Sequence, residues 1–267
     1  MLNALKLYFR YAGVSIRSQL QYRASFAMTT LGHFLLNVIT FVSIWALFNR
    51  FGNVRGWTLA EVGLFYGIVN TAFAIAEMFG RGFDIFPPMV KGGQFDTLLL
   101  RPRSTILQIF GLEFQLMRVG KLAQGLLVLI WSIANLSIAW SVAKILLLLA
   151  AIFGGVCLFT GLFVLYATVS FWTTESLELF NTVTYGGVET TQFPLTFYQP
   201  WFRAIFTYVV PLACINYFPA HAILERHEEL GTSVAFQAAS PLIGVIFLIV
   251  ALQIWKLGVR HYRSTGS

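Results

Sequence analysis

Charge is scarce in this chain. Of 267 residues only 11% are Asp, Glu, Lys or Arg, and 57% are hydrophobic, with a mean hydropathy of +0.73. An ordinary soluble domain carries roughly 25% charged residues, so this balance excludes a soluble globule. Cysteine is almost missing as well. Cys157 and Cys214 both lie in apolar stretches, where a thiol packs as a small hydrophobe, and neither implies a disulfide, a metal or redox chemistry. No phosphate-cradling G-x-x-x-x-G-K-[ST] loop is present: Gly120-Lys121 comes nearest, but Leu122 follows and Gln115 stands where the first glycine belongs. His33, His221, His227 and His261 are too scattered to make H-E-x-x-H, and no G-x-S-x-G occurs. The net charge of +7 is not gathered into a basic tract interleaved with stacking aromatics, so nucleic acid is not an expected partner. The chain thus supplies no catalytic, cofactor-binding or metal-binding constellation.

What it does contain is apolar runs of about 20 residues, the length a helix needs to cross a hydrocarbon layer ~30 Å thick. Hydropathy and punctuation predict an all-α integral membrane protein, one transmembrane domain over residues 1–267, with spans near 24–48, 59–80, 115–139, 143–170, 202–222 and 238–257. Pro211 and Pro219 fall inside the fifth, which marks it as the place for a kink or a partly re-entrant segment. No loop has room for a soluble catalytic domain of about 100 residues.

Lys and Arg set the orientation. With a cytoplasmic N-terminus, that side receives residues 6, 10, 17, 23, 81, 91, 101, 103, 118, 121, 203, 256, 260 and 263, and the other only residues 50, 55, 144 and 226. Fourteen against four is a positive-inside bias that puts both termini in the cytoplasm. Ahead of the first span, residues 1–23 place Leu2, Leu5, Phe9, Ala12, Ile16 and Leu20 at spacings of three and four, the pattern of an amphipathic helix lying in the interface. Without a small-residue cleavage site it is expected to stay attached. Two cytoplasmic connections are long: residues 81–114, and residues 171–201, where Leu177, Phe180, Val183 and Thr184 suggest a short helix ended by Gly186-Gly187.

Polar residues at membrane depth are costly and therefore candidates. His33 and Asn37, one turn apart in span one, are expected to hydrogen-bond to neighbouring helices. Glu77, near the end of span two, is expected to pair with Arg81 four residues on. Gly63 and Gly67 form a small-xxx-small packing face. Trp57, Trp140, Trp172, Trp201 and Trp255 fall near predicted interfaces and read as anchors.

In the first cytoplasmic connection, Gly92-Gly93 breaks the preceding helix, Gln94 or Asp96 supports a new start, and Arg101-Pro102 stops it after Leu98, Leu99 and Leu100. This "GGQFDTLLLRP", the segment "FPLTFYQPWFRAIFTYVVPLACINYFPAHAIL" (193–224) and the tail "WKLGVRHYRSTGS" together resemble the six-helix permease subunits of ABC-2 type transporters, in the branch whose loop reads G-x-F-D-x-L-L-L-R-P. Phe193 stands where that branch has Tyr before Pro194.

The resemblance implies an ABC-2 permease fold with a coupling helix in the 81–114 loop, in a bacterial inner membrane. It implies export driven by separate ATP-binding subunits that hold ATP and magnesium. It also implies a substrate pathway shared with a second permease, a copy of this chain or a sister. On the matching positions, Gly93, Phe95, Asp96, Leu98, Leu99, Leu100, Arg101 and Pro102 form the interface to the ATPase. The competing reading is a secondary transporter or channel that needs no nucleotide. It predicts an internal repeat and paired broken helices near the midplane, and no halves-level similarity is visible.

Overall fold

A computed structural model describes residues 2–173, 177–226 and 232–262, with no account of the side chains of residues 2–7, 9, 177, 179 and 180. Among the described residues every regular element is helical, apart from one antiparallel bridge between Val54 and Trp57. The helices are α1 (Leu2–Gln21), α2 (Arg23–Phe51), α3 (Leu59–Asp84), α4 (Phe86–Lys91), α5 (Gln94–Leu99), α6 (Thr105–Phe110), α7 (Val119–Asn135), α8 (Val142–Val169), α9 (Leu177–Thr191), α10 (Pro200–Ala204), α11 (Leu212–Ile215), α12 (Tyr217–Leu224), α13 (Val234–Ala239) and α14 (Leu242–His261). Among the described residues five helical stretches are long and apolar enough to cross a membrane: Arg23–Phe51, Leu59–Lys91, Leu116–Asn135, Val142–Val169 and Leu242–His261. The chain is a multi-pass membrane protein.

α3 is the centre of the bundle. It starts on a capping box, in which the Thr58 hydroxyl accepts from the Glu61 amide at 3.3 Å and the Thr58 amide donates to Glu61 Oε2 at 2.8 Å. Most of its residues from Glu61 to Phe83 are buried, as expected of a helix apolar on all sides and wrapped by others. α7 lies so close to it that a Cβ on Gly67 would meet Leu129 Cα at 2.8 Å, and one on Gly63 would meet Ser132 Cβ at 3.3 Å. Ser132 Oγ donates to the Ala60 carbonyl at 2.6 Å. The small-xxx-small face is therefore a packing face.

The expected fifth span, 202–222, is not one helix. Pro200–Val209 and Leu212–Leu224 meet at 75°. The first arm ends in a π-helical turn over Ile205–Val209, and Pro211, with no amide hydrogen to donate, stops it. Pro219 sits in the first turn of α12, where a missing amide is tolerated.

α9 also lies against α3. The Tyr185 ring lies 5.5 Å from that of Phe73 in α3. Further along, Asn216 Nδ2 donates to the carbonyls of Thr191 (2.6 Å) and Phe65 (3.4 Å). Beyond α9, Thr196 reaches the Thr58 end of α3, where Trp57 Nε1 donates to its hydroxyl (3.2 Å) and Arg55 to its carbonyl (2.7 Å). So α9 and residues 192–196 run antiparallel to α3, and α10 to α12 fold back between them and α8 as a hairpin opening at the Thr58 end. Gly186-Gly187 does not end α9. Gly187 packs on Leu212 of the hairpin, 2.7 Å from where a Cβ would stand. Of the face expected here, Thr184 is buried and Val183 half-buried, while the side chains of Leu177 and Phe180 lie outside the described residues.

α1 turns Ala12 and Ile16 onto Met78, Phe114, Leu116 and Leu122. It is tied there by Ser15 Oγ donating to the Phe114 carbonyl at 3.0 Å and by Gln19, whose Nε2 donates to that carbonyl and whose Oε1 accepts from the Leu116 amide at 3.0 Å. Trp57 and Trp255 are each 1% exposed. They are core residues rather than interfacial anchors, because neighbouring helices close over both indoles.

The α3–α7 contact makes a direct prediction. Gly67→Ala drives a methyl into the Leu129 backbone and lowers the thermal midpoint in detergent, by an overpacking cost of about 1–3 kcal/mol. Gly32→Ala in α2, with nothing within 4 Å of its Cβ position, leaves the midpoint unchanged or raises it.

Candidate functional site

Gly92-Gly93 ends the continuous helical stretch that begins at Leu59. Gly93 adopts φ +69°, the left-handed conformation, which glycine reaches without steric cost. α5 starts immediately after it, with Asp96 in its first turn. Short as it is, α5 is held at two points. Phe95 is fully buried in an aromatic cage made by Phe86 (ring centroids 5.1 Å apart), Phe171 (5.4 Å), Trp255 (6.5 Å) and Tyr262 (4.9 Å). At its other end Gln108, 4% exposed, donates through Nε2 to the carbonyls of Leu98 (3.1 Å) and Arg103 (3.2 Å). That satisfies acceptors a helix end leaves without intrahelical partners.

The eight expected interface positions therefore separate. Phe95 and Leu98 face their own chain, at 0% and 3% exposed. Leu99 and Leu100 are 42% and 85% exposed, and Arg101 and Pro102 are exposed too. Gly93 and Asp96 are half-buried. The apolar ridge expected at Leu98 to Leu100 is split by the helical turn, which carries Leu98 inward and the next two residues outward. Burial, and the Asp96 carboxylate beside it, raise the Tyr262 phenol above its ordinary pKa, so the hydroxyl stays protonated next to that carboxylate.

Sequence reasoning missed the residues that hold α5. Phe86, Phe171, Trp255 and Tyr262 come from three separate parts of the chain. Trp255 also donates from Nε1 to Thr105 Oγ1 at 3.2 Å, and Gly258 lets Phe171 approach, 2.7 Å from where its Cβ would stand. The W-x-x-G spacing of the tail was the available signal, since it sets an indole and a gap one turn apart on α14.

A second polar group lies deeper. Glu77, 3% exposed, does not pair with Arg81. Arg81 bonds Asp84 at 2.6 Å, while Glu77 takes Lys121 at 3.1 Å and Arg118 at 3.5 Å from the α7 side. Position 77 looks towards α7, and position 81 is turned past it. Lys121 Nζ also sits 4.1 Å from the centroid of the Phe73 ring, a cation–π contact that strengthens away from water. Above this group Tyr66 OH lies 3.2 Å from Gln124 Oε1 and 3.0 Å from the Asn37 carbonyl. Asn37 Nδ2 donates to the His33 carbonyl of its own helix at 2.7 Å, so the expected interhelical bond is made by the Asn37 backbone instead. The His33 imidazole makes no hydrogen bond among the described residues, although Glu77, Arg118 and Lys121 are within electrostatic reach.

α9 adds a stripe that hydropathy did not show. Glu178, Thr182, Tyr185 and Glu189, at spacings of four, three and four, are all exposed and so share one face. Glu189 lies within electrostatic reach of Lys121, Tyr66 and Tyr198. Together with the Glu77 group it makes one side of the bundle polar.

A family model described as ABC-2 family transporter protein matches residues 34–266. No curated protein and no solved structure matches the chain.

The two faces of α5 separate cleanly by experiment. Phe95→Ala empties the aromatic cage and lowers stability by about 3–5 kcal/mol. Leu100→Ser, at an 85% exposed position, changes it by no more than about 0.5 kcal/mol. Thermal unfolding of the two purified variants measures both.

Proposed function

From the premise that the chain belongs to the ABC-2 transporter family, whose membrane subunits work with ATP-binding subunits, we propose that it is the permease of an ATP-driven exporter in a bacterial inner membrane. The observation that carries this reading is α5. A helix cannot pass on a push unless it is fixed to what it pushes, and Phe95 and Gln108 fix α5 to α4, α6, α14 and the segment that follows α8. Its other face leaves Leu99, Leu100 and Arg101 uncovered, a small apolar and cationic knob suited to a groove on a soluble partner. ATP and magnesium belong to that partner, in which hydrolysis takes place. Closure of the partner around nucleotide shifts the spans only if the knob is bound more tightly in one transport state than in the other.

We assign the α5 end of the bundle to the cytoplasm, with both termini on that side and α1 lying along the interface. α9 with residues 192–196 then makes the fifth crossing, and α10 to α12 form a re-entrant hairpin from the outer side. This moves Arg203 outward and leaves thirteen of the eighteen Lys and Arg residues inside, still a positive-inside bias. The exposed stripe of α9 is unsuited to lipid, since a carboxylate at membrane depth is costly there. It fits the wall of a water-filled pathway that a second permease closes. A nucleotide-independent carrier is less favoured. It calls for broken helices in both halves, and among the described residues only one bent pair is found, in the C-terminal half.

Two measurements test the reading. A single cysteine replacing Trp201, 67% exposed, reacts with a membrane-impermeant maleimide added outside intact spheroplasts, whereas one replacing Leu100 reacts only after permeabilisation. Labelling of both from the same side overturns the topology. Leu100→Asp combined with Arg101→Ala loses co-purification of the ATPase subunit and ATP-dependent transport while the thermal midpoint stays that of the unmodified chain. Retained association removes α5 from the coupling role.

A further inference from the structure

The 75° bend between the hairpin arms opens a cavity of about 390 Å³, within the range of roughly 300–1,000 Å³ usual for ligand sites. Its wall includes Arg203, Thr207 and Tyr208 from the first arm, Tyr217 from the second, and Thr196 and Thr232 from the flanking segments. Arg203 is half-buried, and its Nε is sealed from solvent with no hydrogen-bond acceptor. A guanidinium carries five donors and no acceptor, and a buried donor left unpaired costs about 1–3 kcal/mol. No carboxylate among the described residues lines the cavity.

The hydroxyls point the same way. Thr196 Oγ1 already accepts from Trp57 Nε1 at 3.2 Å, and Thr232 Oγ1 from Gln237 Nε2 at 3.1 Å. Each therefore has its own hydrogen left to donate. At this end of the bundle Arg226 is paired with Glu61 and Lys144 with Glu225, both at 2.7 Å. Arg55, on the far side of Thr196, satisfies a backbone carbonyl rather than a carboxylate. The cavity is thus rich in donors and flanked by two cations that no acidic side chain among the described residues neutralises.

We propose that this cavity is a binding site for a phosphate group, held by the planar guanidinium of Arg203 through paired charge-assisted hydrogen bonds and by the hydroxyls of Thr196 and Thr232. The phosphate is that of a lipid headgroup or a free phosphate. Apolar neighbours on the same wall, Leu195 and Phe218, are compatible with the first.

The test uses the full chain purified in detergent. Native mass spectrometry measures retention of phosphatidylglycerol against diacylglycerol, which lacks the phosphate, and thermal unfolding is followed with and without inorganic phosphate. Retention of the phospholipid above diacylglycerol, reduced about tenfold or more by Arg203→Gln and less by Arg203→Lys, assigns the site to a lipid headgroup; the loss matches removal of one charge-assisted bond of ~1.5–3 kcal/mol. Stabilisation by inorganic phosphate that disappears in Arg203→Gln assigns it to a free phosphate. Thr232→Val weakens whichever ligand binds without touching the cation, and Arg50→Gln, an arginine outside the cavity, changes neither. If Arg203→Gln and Thr232→Val match the unmodified chain with both probes, or if Arg50→Gln lowers binding as much as they do, the proposal is overturned.

Discussion

A polar group placed in hydrocarbon has no water to turn to, so this chain must satisfy such groups from within. That requirement shapes the bundle around α3. Glu77 is tolerable at 3% exposure because Lys121 and Arg118 reach it from the next helix. Removing one member of such a buried set leaves an uncompensated charge, at a cost of about 3–5 kcal/mol. The same need explains Asn216, whose amide bonds carbonyls of α3 and α9 at the turn between α11 and α12, where the helical ladder is interrupted. Where a hairpin replaces a straight helix, its freed backbone groups must be satisfied by protein rather than lipid, and α8, α9 and α3 pack around its second arm, Leu212–Leu224.

That enclosure links the two ends of the molecule. At the Thr58 end, the bend makes a cavity lined by donors. At the α5 end, the aromatic cage gathers Phe86, Phe95, Phe171, Trp255 and Tyr262 around one short helix. Between them run α3, α8 and α14, packed through glycines that allow backbones to approach. Phe95 touches residues attached to three long helices at once. The packing is stiff, since close-packed interiors transmit strain rather than absorb it.

Membrane character, and the bounds of five long helices to within a few residues, were legible from hydropathy because each of those helices is long and apolar enough to announce itself. α9 was legible only as a short helix from near Leu177 that Gly186-Gly187 would end. It is 15 residues long and exposes Glu178, Thr182, Tyr185 and Glu189, so apolar runs do not mark its extent. Pro211 and Pro219 did mark the hairpin as irregular. The short helix α5 was legible in its limits, since Gly93 and Pro102 punctuate it. Which of its leucines face outward was not, because that depends on Phe171, Trp255 and Tyr262, which lie far along the chain.

By itself the sequence determined what the chain is made to live in, the family it belongs to, and where the charges crowd. Those follow from composition, from the length of apolar runs and from short motifs, all local properties. The tertiary structure decided which partners answer the charges, how α9 and the bent pair lie against α3, and where the donors converge. Arg81 four residues from Glu77 was the nearer base along the chain, yet Lys121, 44 residues away in sequence, is the one that meets it. Helix rotation and packing set such contacts, and neither is written in any one stretch of residues.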